Sequence, residues 1–257
     1  MVQTQKAKVV KVDSTLSKGL SILEHLAKKQ SSVGVSELSR ELGLTKSNTF
    51  RLLQSLTALG YVRHGEDRTY SATLKIWQVG REIVDQLNLR ELCAPELHFL
   101  SHETGETIYL AVPEGMMVVY IDKIESQKPI RSWNPIGGSA PMHCVGTGKA
   151  ILASSYEKRR GGISEALTRH TEKTLVTIDA LDADMAETQK RGYAYDTGEF
   201  RDRILSFGAP IVLPDGEPIA AVGISVPDVN LPENGEALFG KLVASAASNA
   251  SAKLAQR

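Results

Sequence analysis

The sequence predicts an α+β protein made of two domains joined by a helix. Residues 1–73 have the pattern of a winged helix-turn-helix, a linker helix follows over 74–88, and residues 89–257 predict an α+β domain with a curved antiparallel sheet. Three observations carry this prediction: a helix-turn-helix-hairpin pattern near the N-terminus, strand pairs followed by helices in the second half, and an uneven distribution of charge.

The helix-turn-helix pattern leaves almost no slack between its elements. Ser36 is a suitable N-cap for a short helix, and Gly43 can take the positive φ that ends it. Thr45 then caps a second helix. A preceding helix over 15–29, with apolar residues at helical spacing, is expected to pack behind this pair.

The second helix has a polar outward face without acidic residues. At 100° per residue, its leucines fall on one side and Ser47, Arg51 and Gln54 on the other. Arg, Asn and Gln can make paired bonds to base edges, while Ser and Lys can hold phosphates. The alternative is an ordinary amphipathic surface helix, whose exposed face usually mixes charge signs. The predicted DNA contacts of this helix are Thr45, Lys46, Ser47, Asn48, Arg51 and Gln54.

A charged hairpin follows that helix. Residues 61–64 and 68–71 predict two short strands around a turn that contains Gly65. Arg63 and Arg68 stand near the tip, where a wing meets the DNA backbone or a minor groove. A solvated hairpin with incidental charges is the alternative, but the order helix, turn, helix, hairpin favours a wing.

Charge is divided unequally along the chain. The whole sequence has 30 basic and 30 acidic residues, yet residues 1–81 hold 13 basic against 6 acidic ones. The remainder holds 17 against 24. This asymmetry predicts one half that binds nucleic acid, with an affinity that falls as salt rises. Residues 1–13 are basic and predict a flexible arm.

Cysteine content and hydropathy indicate in which cellular compartment the protein is expected. The two cysteines, Cys93 and Cys144, do not suggest a disulfide framework, so a reducing cytoplasm is the expected setting. No segment has the length and hydropathy of a transmembrane span, and the N-terminus lacks the pattern of a secretory signal. We expect a cytoplasmic protein with no membrane partner.

The second half alternates strand and helix patterns. The linker helix carries an apolar stripe, Leu74, Trp77, Val84 and Leu87, which favours a dimer contact or a domain-docking face. A helix over 89–102 follows. Strands are then predicted at 107–112, 117–122, 192–196, 207–213 and 219–226, and helices at 148–154, 179–191 and 234–254.

Three groups of residues invite a chemical role. The segment 146–149, GTGK, lacks the spacing of a phosphate loop, although a helix opening at Gly148 could face a carboxylate. His98 and His102 have metal-ligand spacing, but two surface histidines are the simpler interpretation.

Cys144 beside His143 suggests a nucleophile. Adjacent strand residues point to opposite faces, which favours a buried structural cysteine.

Several motifs together resemble the IclR family of bacterial transcription regulators. They are LSRELGLTKSNTFRLLQSLTALGYV with its wing, IGGSAPMHCVGTGKAILA, RGYAYDTGEF and GAPIVLPDGEPIAAVGISVP, and they cover nearly the full chain. The resemblance implies a homodimer or homotetramer that binds a palindromic double-stranded operator, with a small carboxylic acid bound in the C-terminal domain and no cofactor. The implied effector-binding residues are Ala140, Gly146, Thr147, Asp196, Ile204, Ser206, Gly223 and Ser225, with Trp133 and Met142 near enough in sequence to join them.

The chain departs from the family pattern at three places. Ser206 replaces a common Cys and should keep a donor. Gly223 stands where a serine often holds the ligand and should open volume, while Thr197-Gly198 replaces part of an acidic run. These changes predict a bulkier, plausibly aromatic, acid with Trp133 or Met142 against its ring.

The sequence therefore predicts an effector-controlled DNA-binding regulator and not an enzyme. Two alternatives are a metal- or Cys/His-dependent hydrolase with an appended DNA-binding domain, and an architectural DNA binder without a ligand. No complete triad or ligand set supports the first, and the large acidic second domain argues against the other.

Overall fold

The computed structural model describes residues 12–29, 31–86, 89–163 and 167–256, without the side chains of 81–86. Two compact units divide the chain, Met1–Gln86 and Leu87–Arg257. The predicted basic arm lies almost wholly outside the described residues, as do the side chains of Val84 and Leu87 in the predicted apolar stripe. Among the described helices, none is long and apolar enough to span a membrane.

The first unit contains four helices and a three-stranded antiparallel sheet within its described part. The order of the sheet is β1-β3-β2. The elements are α1 (Ser14–Lys28), β1 (Val33–Gly34), α2 (Val35–Glu41), α3 (Lys46–Ala58), β2 (Val62–His64), β3 (Thr69–Ala72) and α4 (Lys75–Gln86).

This arrangement is a winged helix-turn-helix in which α1, α2, α3 and the three strands contribute apolar residues to one core. Ile22 of α1, Leu38 of α2, Leu53 of α3 and Val62 of β2 are all at most 2% exposed. Asp13 caps α1 by accepting the backbone N–H groups of the first turn. The sequence prediction of the fold class is confirmed.

The entry into α2 differs from the prediction. The N-cap is Gly34, which makes no side-chain cap bond, and Ser36 lies inside the first turn. The reason is strand β1, which the sequence analysis missed: Val33 pairs with Tyr70 and Gly34 with Thr69, so the chain passes directly from strand to helix. A two-residue strand is too short to show a period in sequence.

The second unit is built on a six-stranded antiparallel sheet of order β6-β5-β4-β9-β8-β7. Register shifts interrupt two of its ladders, and such bulges bend strands. Its elements are α5 (Leu89–Thr104), β4 (Thr107–Glu114), β5 (Met117–Ile124), β6 (Ser139–Pro141), α6 (Gly146–Ser154), α7 (Tyr156–Arg159), α8 (Ile178–Arg191), β7 (Ala194–Asp196), β8 (Ile204–Val212), β9 (Pro218–Pro227) and α9 (Gly235–Leu254).

Helices cover both faces of this sheet. On β8, Phe207 turns toward α9, where its ring meets Phe239 edge-on with centroids 5.8 Å apart. Ser206 and Gly208 turn to the other face, which carries α6, because successive strand residues alternate sides. Helix α5 packs against α9 and β4.

The approach of α6 to the sheet requires glycine. A Cβ built on Gly208 would lie 2.2 Å from the carbonyl oxygen of Gly146, and a Cβ on Gly148 would lie 2.5 Å from the Cα of Met142. These neighbours are backbone atoms and cannot rotate away. The glycines of the GTG segment and of β8 therefore allow helix and strand backbones to touch.

We expect Gly208→Ala to destabilise the second unit by about 1–3 kcal/mol, the usual cost of overpacking a core. Gly161→Ala is the matched control, because a Cβ there has no neighbour within 4 Å. Urea unfolding followed by circular dichroism measures both. Equal midpoints for the two variants would contradict the close-packing account.

Candidate nucleic-acid interface and ligand cavity

The outward face of α3 is polar and exposed. Ser47, Arg51 and Gln54 are exposed, while Thr49, Leu52 and Leu53 on the opposite side are buried. Thr45 caps the helix, accepting the backbone N–H of Asn48 at 3.4 Å. Lys46 is exposed and Asn48 is half-buried.

Two of the predicted DNA contacts are oriented by neighbours. Arg51 Nη2 donates to Asn48 Oδ1 at 3.3 Å, which aims the guanidinium along the outer face of α3. In the wing, Arg68 has a φ of 61°, a left-handed conformation held beside a turn in which Asp67 accepts from both the amide and the hydroxyl of Thr69. Arg63 is exposed on β2. Seven of the eight predicted contacts are thus exposed, and four of those are basic.

In the second unit, sheet register aligns polar residues on one face. Asp196 pairs with Ser206, Ser206 with Ser225, and Ser225 with Thr107, on four neighbouring strands. Beside this row a cavity with about 420 Å³ of empty space, its open mouth included, lies against the start of α6. Its position follows from pairing over long sequence distances.

Six of the ten predicted effector residues line this cavity: Thr147, Asp196, Ile204, Ser206, Gly223 and Ser225. The remaining four do not belong to its lining. Ala140 and Met142 are fully buried in the core cluster, and Gly146 lies just behind the wall with its N–H on Ser206 Oγ at 2.9 Å. The Trp133 side chain is 53% exposed, and the ammonium of Lys123 lies 5.0 Å from its ring centroid.

The sequence analysis missed nine of the fifteen described lining residues. Tyr109 and Tyr120 hold their rings 4.7 Å apart at its wall, and Arg201 stands beside Phe200 at its edge. Arg201 Nη1 donates to the backbone carbonyl of Trp133 at 2.9 Å. Alternation on β4 and β5 could have suggested the two tyrosines, but no sequence signal brings the Arg201 segment to this cavity.

Two inferences about ligand volume and donors are wrong. A Cβ on Gly223 would lie 2.5 Å from Thr147 Cγ2, so the space that glycine leaves is already filled by threonine and adds no room. Ser206 Oγ donates to Asp196 Oδ2 at 2.7 Å and accepts from Gly146 N, so its proton is committed inside the protein. Both residues fix the wall of the cavity.

The ammonium of Lys149 in the GTGK segment is bound inside the protein and is not available to a phosphate. Its side chain is 0% exposed, and Nζ donates to Glu199 Oε1 at 2.7 Å and to the carbonyl of Tyr195 at 3.0 Å. Asp184 Oδ2 lies 2.9 Å away. Helix α6 begins at Gly146, two residues before the predicted opening at Gly148. This lysine ties α6 to β7 and to the segment after it.

Two buried carboxylates in this region, Glu199 and Asp196, are shifted toward the protonated form. Burial raises the pKa of Glu199 to about 7, and the pKa of Asp196 is also raised by burial. Asp196 Oδ1 accepts the N–H groups of Gly198 and Glu199, at 2.9 and 2.6 Å. With its other oxygen on Ser206, Asp196 shapes the cavity wall.

The two pairs of histidine and cysteine candidates differ in burial. His98 is exposed, and the His102 side chain is 86% exposed with its Nδ1 3.1 Å from Glu103 Oε1. His143 and Cys144 lie in a short 3₁₀ turn, not in a strand, so the argument from opposite strand faces is wrong. Burial raises the pKa of the Cys144 thiol far above its usual range, which makes it a poor nucleophile.

Family profiles match both units of the chain. The profile described as the IclR helix-turn-helix domain matches residues 15–66, and that of the bacterial transcriptional regulator IclR C-terminal domain matches residues 81–252. The chain belongs to the IclR family. The chain is therefore a DNA-binding transcription regulator whose two units match the two domains of that family.

Characterised relatives are regulators of transcription. This chain is 34% identical to the transcriptional repressor IclR of Escherichia coli strain K12, and the match covers 91% of this chain and 87% of that one. It is 33% identical, with the same coverage, to the acetate operon repressor of Salmonella typhimurium strain LT2.

Solved structures of the family share the fold. The Thermotoga maritima IclR crystal structure superposes with a TM-score of 0.78 and 28% identity, covering 93% of this chain and 98% of that one. An IclR homologue from Microbacterium hydrocarbonoxydans, crystallised with 4-hydroxybenzoate, has a TM-score of 0.80 at 21% identity, with 94% and 99% covered.

Glu199 should make stability depend on pH. Because its pKa rises from 4.5 to about 7 on folding, its stabilisation is complete below pH 4.5 and is lost as pH rises through 7, by about 3 kcal/mol. Buried His143, whose pKa is lowered, acts in the opposite sense, so the parent must be compared with Glu199→Gln. We expect the unfolding free energy of the variant to fall less between pH 4.5 and 7.5; parallel profiles would contradict this.

Arg51→Ala should weaken binding to a specific operator by about 1–3 kcal/mol, since a base-reading arginine contributes that much discrimination. Lys28→Ala on α1 removes an exposed charge away from the outer face of α3 and serves as the control. Fluorescence anisotropy with operator and scrambled duplexes measures both. An equal loss on every duplex would assign Arg51 to a phosphate instead.

Proposed function

We propose that this IclR-family chain regulates transcription in the cytoplasm, as a homodimer or homotetramer on a palindromic operator, and that a small aromatic acid in the cavity controls it. The observation that best supports this effector is a partly open cavity lined by aromatic rings and one cation. The exposed basic face of α3 and the wing supplies the DNA contacts, namely Thr45, Lys46, Ser47, Asn48, Arg51, Gln54, Arg63 and Arg68.

The aromatic class is supported by the walls of the cavity. Tyr109, Tyr120 and Phe200 offer flat apolar surface, and Ser132 and Ser225, which are 2.8 Å apart, offer hydroxyls near it. Such a mixture suits a planar ring with one polar substituent. The Microbacterium homologue crystallised with 4-hydroxybenzoate is a precedent within the fold.

Arg201 is the group we assign to the carboxylate of that acid. It is the sole cation among the described lining residues, and it is exposed. Asp196 has both carboxylate oxygens engaged by internal donors, which reduces its repulsion of an anion. A bound acid would compete with the Trp133 carbonyl for the Arg201 guanidinium. Because that hydrogen bond joins two loops, the acid would change the contact between them.

Control of DNA binding requires a difference in affinity. The acid must bind two arrangements of the regulator unequally, or it cannot shift their populations. By linkage, operator DNA must then change the affinity for the acid by the same factor. This reciprocity links the cavity to the surface of α3 without any assumption about the direction of regulation.

We expect hydroxybenzoates to change the operator affinity of the parent and to raise its melting temperature, whereas Arg201→Ala binds them about 10- to 100-fold more weakly, as a charged hydrogen bond is worth about 1.5–3 kcal/mol. For the neutral amide of the same ring, the difference in affinity between the parent and Arg201→Ala should be far smaller. Arg131→Ala, an exposed arginine paired with Glu125, is the control.

Calorimetry, thermal shift and DNA anisotropy provide the readouts of this test. Stabilisation by pyruvate or glyoxylate but not by hydroxybenzoates would overturn the aromatic class. An equal loss of acid and amide binding in Arg201→Ala would overturn the role of Arg201 and leave the ring preference standing.

A further inference from the structure

We propose that His143, Cys144 and His170 form a binding site for a borderline transition-metal ion such as Zn²⁺. Among the described residues, one ligand atom from each of these three side chains lies within 4.8 Å of the other two. Tetrahedral zinc with bonds of about 2.0–2.3 Å holds its ligand atoms roughly 3.3–3.8 Å apart. A contraction of at most about 1.5 Å would therefore close the three groups around one ion.

His143 is prepared for such a role by its surroundings. Its Nε2 donates to the carbonyl of Thr168 at 3.1 Å, the type of second contact that orients metal-binding imidazoles. With the proton on Nε2, Nδ1 keeps the lone pair that coordinates an ion.

Cys144 supplies a sulfur ligand that cannot ionise without help. The thiol is fully buried, and Asp196 and Glu199 add to the cost of a negative charge there. A divalent ion removes that cost: the metal–sulfur bond forms as the S–H bond breaks, and the proton passes to the solvent. Binding is therefore expected to release one proton for each ion bound.

His170 provides the entrance. It is exposed, while its backbone N–H is held by Thr174 Oγ1 at 3.0 Å and its ring meets Phe200 edge-on at 5.0 Å. Two ligands thus come from the 3₁₀ turn before α6 and the third from a separate segment near the surface. Because Phe200 also lines the cavity, an ion here would restrain one wall of the cavity.

The helical pair His98 and His102 lacks these features. Both are exposed on α5, and the described residues bring no third ligand to them. The sequence spacing favours this pair, yet the fold assembles the other set. That contrast supplies a matched control within the same chain.

Co²⁺ titration of the full-length reduced protein tests the proposal, because a thiolate ligand gives cobalt a charge-transfer band in the near ultraviolet. We expect a band at one equivalent, displaced by Zn²⁺, with about one proton released in calorimetry across buffers. His170→Ala should weaken binding at least about tenfold, the scale of even outer-shell losses, while His98→Ala leaves it unchanged.

Cys144→Ser should abolish the thiolate band while Cys93→Ser keeps it. His170→Ala replaces an exposed side chain, so it remains informative if Cys144→Ser fails to fold. The proposal is overturned if the parent shows no thiolate band, if His170→Ala binds as tightly as the parent, or if His98→Ala removes the binding.

Discussion

The contact between the start of α6 and the middle of β8 is the constraint on which the second unit depends. At Gly146 and Gly208 the two backbones approach so closely that no side chain fits between them. The same approach brings the N–H of Gly146 to Ser206 Oγ and carries Thr147 against Gly223. Cavity wall, helix position and sheet register are therefore consequences of one packing geometry.

A buried charge cluster completes this arrangement. Lys149 leaves α6 at its inner face, and its ammonium meets Glu199 and Asp184, which come from two other elements. Burial raises the pKa of both Glu199 and Asp196, which lowers the cost of placing carboxylates together in the interior. The cluster stabilises a particular path for the segment that carries Phe200 and Arg201, and so the edge of the cavity.

The surface that we propose for DNA binding depends on a simpler rule. Helix α3 buries Leu52 and Leu53 and thereby turns Ser47, Arg51 and Gln54 outward. Local geometry adds orientation: Asn48 holds Arg51, and the turn at Asp67 fixes the wing. The burial pattern of α3 repeats within a single helix, so the sequence alone could predict its outward face, whereas the bonds made by Asn48 and Asp67 were not predicted.

The sequence by itself determined the winged helix-turn-helix, the α+β class and the outward face of α3, because hydrophobic periodicity and capping act over a single turn or strand. Through the family resemblance, the sequence also predicted six of the residues that line the cavity. Only the tertiary structure decided what Gly223, Ser206 and Lys149 do, and brought Tyr109, Tyr120 and Arg201 to one cavity and His170 to His143. Those contacts join positions tens of residues apart, so they depend on strand register and loop path, which leave no periodic trace in the sequence.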